Sequence, residues 1–139
     1  MRGAARGLLL LALACGDPVA GSAAEAAPCT DLTAQQDRNA CISEAAAEAD
    51  AQLNRVYRQL GAKLDTTGRP NLLAAERSWI AFRDRECEFR AGYDRDDLRN
   101  NGTIVPFLVG QCTLELTRER ALALGRQMRC PGGDMSCAP

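Results

Sequence analysis

The sequence has 139 residues, 25% of them charged, and a formal net charge of −1, which suits one domain without the basic patch that nucleic acid requires. It contains no histidine. This excludes Ser-His-Asp and Cys-His nucleophile systems, the H-E-x-x-H metal site and most catalytic zinc sites. We therefore predict no cofactor, no metal site and no nucleic-acid partner.

The first 24 residues have the pattern of a secretory signal peptide. Arg2 and Arg6 precede the apolar run "LLLLALAC", which is too short to span a bilayer, and the small residues of "AGSAAEAA" follow. This pattern predicts cleavage within residues 20–27 and a mature chain that is periplasmic or secreted. Beyond the signal, no transmembrane span is expected.

The end of the apolar run allows a second interpretation. "ALAC" is similar to a bacterial lipobox, in which Cys15 would be lipidated and would become the first mature residue. The position three residues before it holds Ala12 instead of the usual leucine. Ordinary signal cleavage is favoured, and lipid anchoring through Cys15 is the alternative.

The first predicted helix starts at a capping-box pattern, with Thr33 as the N-cap and Gln36 three residues later. It runs for about thirty residues to Lys63. Gly68 is interpreted as its C-terminal turn, and Pro70 as part of the first turn of the next helix. Its apolar residues recur at three- and four-residue spacing: Ile42, Ala45, Ala46, Ala49, Leu53, Val56, Tyr57, Leu60 and Leu64.

Two further helices are predicted, over residues 70–92 and 106–129. A polar connection with an Asn-Asn-Gly turn signal separates them, and Pro131 ends the last one. The predicted inward face of the second helix carries Leu72, Ala75, Trp79, Cys87 and either Phe82 or Arg83. That of the third carries Leu108, Cys112, Leu116, Ala123 and Leu124. The predicted fold is all-α, an antiparallel bundle of about three long helices cross-linked by disulfides.

Six cysteines remain after the signal, an even number that predicts three disulfides in an exported chain: Cys29, Cys41, Cys87, Cys112, Cys130 and Cys137. The first four fall at one end of the bundle. Their three pairings stay open, although bridges between helices are favoured over Cys29–Cys41. Cys130 and Cys137 fall at the opposite end and are paired with each other.

Several short segments are similar, in order, to the lysozyme inhibitor LprI family. They are "NAC", "DAQLNRVY", "RSWIAFRDREC", Gly102-Thr103 and "CTLELTRER". The resemblance implies a small exported bacterial all-α domain that inhibits c-type lysozyme. We assign residues 29–129 to this domain and residues 130–139 to a cysteine-containing tail outside the family pattern. No family motif marks the inhibitory contacts.

The charged residues around the single tryptophan are interpreted as structural. Helical spacing places Trp79, Arg83 and Cys87 on one inward face. A buried arginine must be paired, and the available acceptors are Asp50, Asn54, Tyr57 and Asp84. A polar network that ties the helices together is favoured, and a binding site is the alternative.

The best candidate for a partner contact is the connection before the last helix, where an aromatic residue adjoins acids: Tyr93, Asp94, Asp96 and Asp97. Because c-type lysozymes are strongly basic, an acidic protrusion suits one as its partner. A plain polar turn is the alternative interpretation. The acidic start of the first helix, Glu44, Glu48 and Asp50, is a weaker candidate.

The resemblance implies a protein that binds and inhibits lysozyme-type muramidases, and the missing catalytic residues indicate that it does so without catalysis. An envelope assembly or immunity protein that binds another bacterial protein is the first alternative. A carboxylate-only hydrolase is the second. Its candidate acids, Glu76, Asp84, Glu86, Glu88, Glu115 and Glu119, are interleaved with arginines, which is typical of a salt-linked face.

Overall fold

The computed structural model describes residues 29–129, most of which lie in three long helices. Helix α1 is Gln35–Lys63, α2 is Gly68–Ala91 and α3 is Val105–Gln127. A short 3-10 turn, Leu98–Asn100, lies in the connection between α2 and α3. The described range contains no strand, and the all-α prediction is confirmed. None of its helices is both long and apolar enough to cross a membrane.

The helix ends differ from the prediction at two places. Thr33 does not cap α1. Ala34 occupies the N-cap position, and this end of the helix has no capping hydrogen bond to a side chain. Gly68 does not end α1 but begins α2. The carboxylate of Asp65 accepts hydrogen bonds from the backbone N–H groups of Thr67 and Gly68, at 3.0 and 2.6 Å. Asp65 therefore caps the first turn of α2.

Helix α3 is the centre of the bundle, because it packs against both other helices while α1 and α2 barely meet. Two core clusters lie along the α1–α3 interface. One contains Ile42, Phe107 and Leu114, and the other contains Leu53, Val56, Leu60, Ala121 and Leu124. Trp79 and Leu72 of α2 pack against the second cluster. A narrow cleft therefore remains between α1 and α2.

Helices α1 and α3 pack closely near Gly110. A Cβ atom built at this position would lie 2.8 Å from Cγ2 of Ile42, so only glycine allows this approach. Leu108, predicted in the core, is 39% exposed instead. On α2 the inward face includes Arg83 and leaves Phe82 55% exposed.

Two disulfides hold one end of the bundle. Cys87 of α2 pairs with Cys112 of α3, and Cys29 pairs with Cys41 in the second turn of α1. The expectation that Cys29–Cys41 would be disfavoured is wrong. Cys29 lies just before α1 and is buried against the first core cluster, which brings it to Cys41. Cys15, Cys130 and Cys137 lie outside the described residues.

Candidate functional site

Arg83 joins all three helices through one guanidinium group. Its Nη1 donates to Asp50 Oδ1 of α1 at 2.8 Å and to Thr117 Oγ1 of α3 at 3.1 Å. Its Nη2 and Nε both donate to Oδ1 of Asp84, at 2.8 and 3.0 Å. Arg83 is 9% exposed and Thr117 is fully buried. Pairing with two carboxylates and a hydroxyl offsets the cost of burying the charge.

A second ion pair lies about two turns away on the same face of α2. The buried carboxylate of Glu76 accepts from Nε of Arg120 on α3 at 2.9 Å. The indole ring of Trp79 lies between the two arginines, 5.3 Å from the guanidinium carbon of Arg83 and 5.7 Å from that of Arg120. The two cations and the aromatic ring therefore form one structural unit between α2 and α3.

Sequence reasoning placed Asp50, Asp84 and Trp79 around Arg83, and the structure brings these four together. It missed Thr117 and the Glu76–Arg120 pair, although the T-R-x-R segment that contains Thr117 and Arg120 was noticed. Asn54 and Tyr57 are not in this network. Within residues 29–129 neither side chain makes a hydrogen bond. Both line the cleft between α1 and α2, a space of about 280 Å³.

The six candidate acids for a hydrolase do not form an unpaired carboxylate site. Five of them pair with arginines, and Glu119 is exposed. The pairs are Glu76–Arg120, Asp84–Arg83, Glu86–Arg90, Glu115–Arg90, and Glu88 with Arg85 and Arg95. The acids of α2 and α3 thus belong to a salt-linked face.

The connection between α2 and α3, residues 92–104, is called the acidic loop here. Oδ1 of Asp94 accepts hydrogen bonds from the backbone N–H groups of Asp96 and Asp97, both at 2.9 Å. The N–H groups of Asp97 and Asp96, with the Asn100 amide, lower the pKa of the Asp94 carboxyl. Its charged form therefore holds the turn in shape.

Further bonds hold both ends of the acidic loop. The amide of Asn101 accepts from the backbone N–H of Asp94 at 2.8 Å and donates to the Asp94 carbonyl at 2.9 Å. Arg95 forms a two-pronged ion pair with Glu88 of α2. The Cys87–Cys112 disulfide joins the two helices that carry the loop. The acidic loop is thus held in one shape by its own hydrogen bonds, by the Arg95–Glu88 pair and by the neighbouring disulfide.

The four predicted contact residues are not equivalent. Asp96 and Asp97 are exposed, and the neighbouring Leu98 is 63% exposed. Asp94 is half-buried, and its carboxylate accepts a hydrogen bond from the backbone of its own loop. Tyr93 is half-buried in a groove at the base of the loop, beside Glu88 and Ser43. Asp97 accepts a hydrogen bond from the backbone N–H of Arg99 at 3.2 Å and pairs with the exposed Arg99 side chain at 3.6 Å. The exposed tip therefore offers Leu98 and the carboxylate of Asp96 beside the Asp97–Arg99 pair.

Comparisons with known proteins identify the family of this chain. The family model described as "Lysozyme inhibitor LprI" matches residues 28–124. An uncharacterised protein of Rhizobium meliloti (strain 1021) is 34% identical over 141 residues, which cover 92% of this chain and 96% of that protein. No solved structure matches the chain significantly. The family match extends from just before the first disulfide to the last core residue of α3, and the chain belongs to the lysozyme inhibitor LprI family.

Proposed function

We propose that this chain is an exported envelope protein that inhibits lysozyme-type muramidases by binding them directly. The family match over residues 28–124 carries the proposal. Two disulfides suit an oxidising compartment, as does the signal-like segment at residues 1–24. The mature protein is periplasmic or secreted, and lipidation of Cys15 would anchor it to the envelope.

The mode of inhibition is occlusion and not chemistry. The candidate acids are paired with arginines or exposed, and the chain has no histidine to act as a base. A protein without reactive groups can still block an enzyme by covering the cleft where its substrate binds. Inhibition should therefore require a stoichiometric complex and no turnover.

The acidic loop is the surface that we assign to the lysozyme contact. Asp96 and Leu98 are exposed at its tip beside the Asp97–Arg99 pair, so the tip offers a carboxylate and an apolar contact to a basic enzyme. The bonds made by Asp94 and Asn101 fix its shape before binding. A preformed loop loses little conformational entropy in a complex, which favours affinity.

A lysis assay tests the function. Purified mature protein is mixed with hen-type lysozyme in molar excess, and the clearing of a peptidoglycan suspension is followed beside calorimetric titration of the pair. We expect slower lysis and a saturable complex of one inhibitor per enzyme. Undiminished lysis without a detectable complex would contradict the proposal for c-type lysozymes. Binding of a bacterial muramidase alone would favour the immunity-protein alternative.

A further inference from the structure

The side of the bundle formed by α1 and α3 alone carries an open apolar groove of about 550 Å³. Its floor consists of small or buried residues from both helices, Ala49, Val56, Ala121 and Gly125. Leu122 forms part of one wall and is 65% exposed. Helix α2 and the acidic loop contribute no residue to the lining of this groove.

Four arginines surround this floor. Arg118, Arg126 and Arg129 line the groove from α3 and the residues just after it. Arg55 of α1 shares a smaller adjoining pocket with Arg118, where Glu48 is the one acid in the lining. All four arginines are exposed, and within residues 29–129 none of them forms an ion pair. We call this surface the arginine groove.

Within residues 29–129 the arginines of the groove make no ion pair, and among their side chains only Arg55 is hydrogen-bonded, through Nε and Nη2, which donate to Oε1 of Gln52 on the same helix. Arg126 and Arg129 are three residues apart, and Arg55 and Arg118 line one pocket in which Glu48 is the only acid, so positive charge exceeds negative charge around the groove. Like-charge pairs are mildly destabilising on a helix surface. Four unpaired cations around an apolar floor are therefore suited to an occupant that is acidic and apolar at once.

We propose that the arginine groove binds an acidic amphipathic helix of a protein partner, a function separate from lysozyme inhibition. Arg118 and Arg129 are eleven residues apart, so the rim extends about 16 Å along α3, or about three helical turns. Leucine-type side chains on one face of the partner helix fill the floor. Glutamates or aspartates that flank this face pair with the arginines, as in other helix-in-groove complexes.

The shape of the groove distinguishes a helix from an anionic membrane as the occupant. Its floor residues Ala49, Val56 and Ala121 are at most 8% exposed, so a flat bilayer surface does not reach them. Leu122 is the one large apolar side chain lining the groove that is well exposed. A single such side chain would insert little apolar surface into a lipid bilayer. A basic lysozyme is repelled by the same arginines.

Fluorescence anisotropy with a defined probe tests the proposal. The probe is a labelled helical peptide of about 14 residues, with leucines at i, i+3, i+4 and i+7 and glutamates beside them. A peptide of the same composition in scrambled order is the control. We expect saturable binding of the helical peptide, and binding at least about tenfold weaker for the scrambled one.

Protein variants locate the binding surface. We expect the double variant R118E/R126E to weaken binding by about tenfold or more. Gly125→Leu should also weaken it by filling the groove, and it should fold normally because an added Cβ there meets no atom within 4 Å. Arg77→Glu is the matched control, since Arg77 is an exposed arginine of α2 without an ion pair in the described range.

Three results would overturn the proposal. One is the absence of saturable binding, and another is equal binding of the helical and scrambled peptides. The third is binding that Arg77→Glu weakens as much as R118E/R126E. Binding of phosphatidylglycerol vesicles that depends on Arg118 and Arg126, without peptide binding, would identify a membrane contact instead. The lysis assay is independent of all these results.

Discussion

Arginine side chains are buried and paired in one region of the molecule and exposed in another. The first region is the Arg83 network, in which Arg83 bonds to Asp50, Asp84 and Thr117, and the second is the arginine groove. Arg83 is buried and bonded to three partners, whereas Arg118 is exposed and bonded to none within residues 29–129. In this range every ion pair involves a residue of α2 or the acidic loop. Charge on the α2 side holds the fold together, and charge on the α1–α3 side remains available for a partner.

The largest expected effect comes from the disulfides at the closed end of the bundle. Replacing Cys87 and Cys112 by serine should lower the free energy of unfolding by about 2–4 kcal/mol. The control is the Cys29 and Cys41 double variant, which opens a loop about half as long and should cost about 0.7 kcal/mol less. Urea unfolding of both proteins measures the difference, and a larger loss from the Cys29–Cys41 pair would contradict it.

Removing one arginine from each region compares them directly. We expect Arg83→Met to cost about 1–3 kcal/mol, less than a fully buried pair, because Asp50 and Asp84 are about half exposed and regain water. Arg118→Met should change stability by no more than about 0.5 kcal/mol. Urea unfolding of the two variants measures this. Equal losses would mean that the arginine groove is also structural.

Two glycines of α3 provide a comparison that involves no charge. Gly110→Ala should destabilise by about 1–2 kcal/mol, because the new Cβ would clash with Ile42. Gly125→Ala should stabilise by about 0.5 kcal/mol, because alanine favours the helix and its Cβ meets nothing within 4 Å. Thermal unfolding followed by circular dichroism measures both changes. A stabilising Gly110→Ala substitution would show that the helices are less tightly packed there.

The smallest effect is confined to the acidic loop and depends on pH. The pKa of Asp94 is lowered in the folded loop, so its bonds stabilise the turn above the ordinary aspartate pKa of about 3.9. This stabilisation is lost as the pH falls through the lower folded value. The amide NMR shifts of Asp96 and Asp97 should report that titration, which should be absent in Asp94→Asn. A titration midpoint of Asp94 at or above about 3.9 would show that these hydrogen bonds do not lower its pKa.

Much of this architecture was predictable because it depends on local periodicity. The three helices follow from apolar spacing and from Pro106, which lies in the first turn of α3. The rule that a buried charge needs partners offered four acceptors for Arg83, of which Asp50 and Asp84 bond to it and Asn54 and Tyr57 do not. These predictions required only that each helix turn one face inward.

The remaining features depend on how the helices are arranged in space. The Cys29–Cys41 bridge depends on the path of the six residues before α1, for which the sequence has no periodic signal, so the preference for bridges between helices was wrong for this pair. Thr117 and the Glu76–Arg120 pair require the register of α2 against α3, which spacing within one helix does not give. The arginine groove was missed for a similar reason, since its apolar floor combines residues of α1 and α3 and Arg55 of α1 meets the arginines of α3 only in the folded bundle.

The most direct test of the account is a lysis assay with one charge-reversed variant from each region. We predict that D96K/D97K in the acidic loop raises the concentration needed to inhibit hen-type lysozyme by about tenfold or more. R118E/R126E in the arginine groove should inhibit as well as the unaltered protein. Full inhibition by the loop variant, with loss of inhibition in the groove variant, would contradict the assignment of the lysozyme contact to the acidic loop.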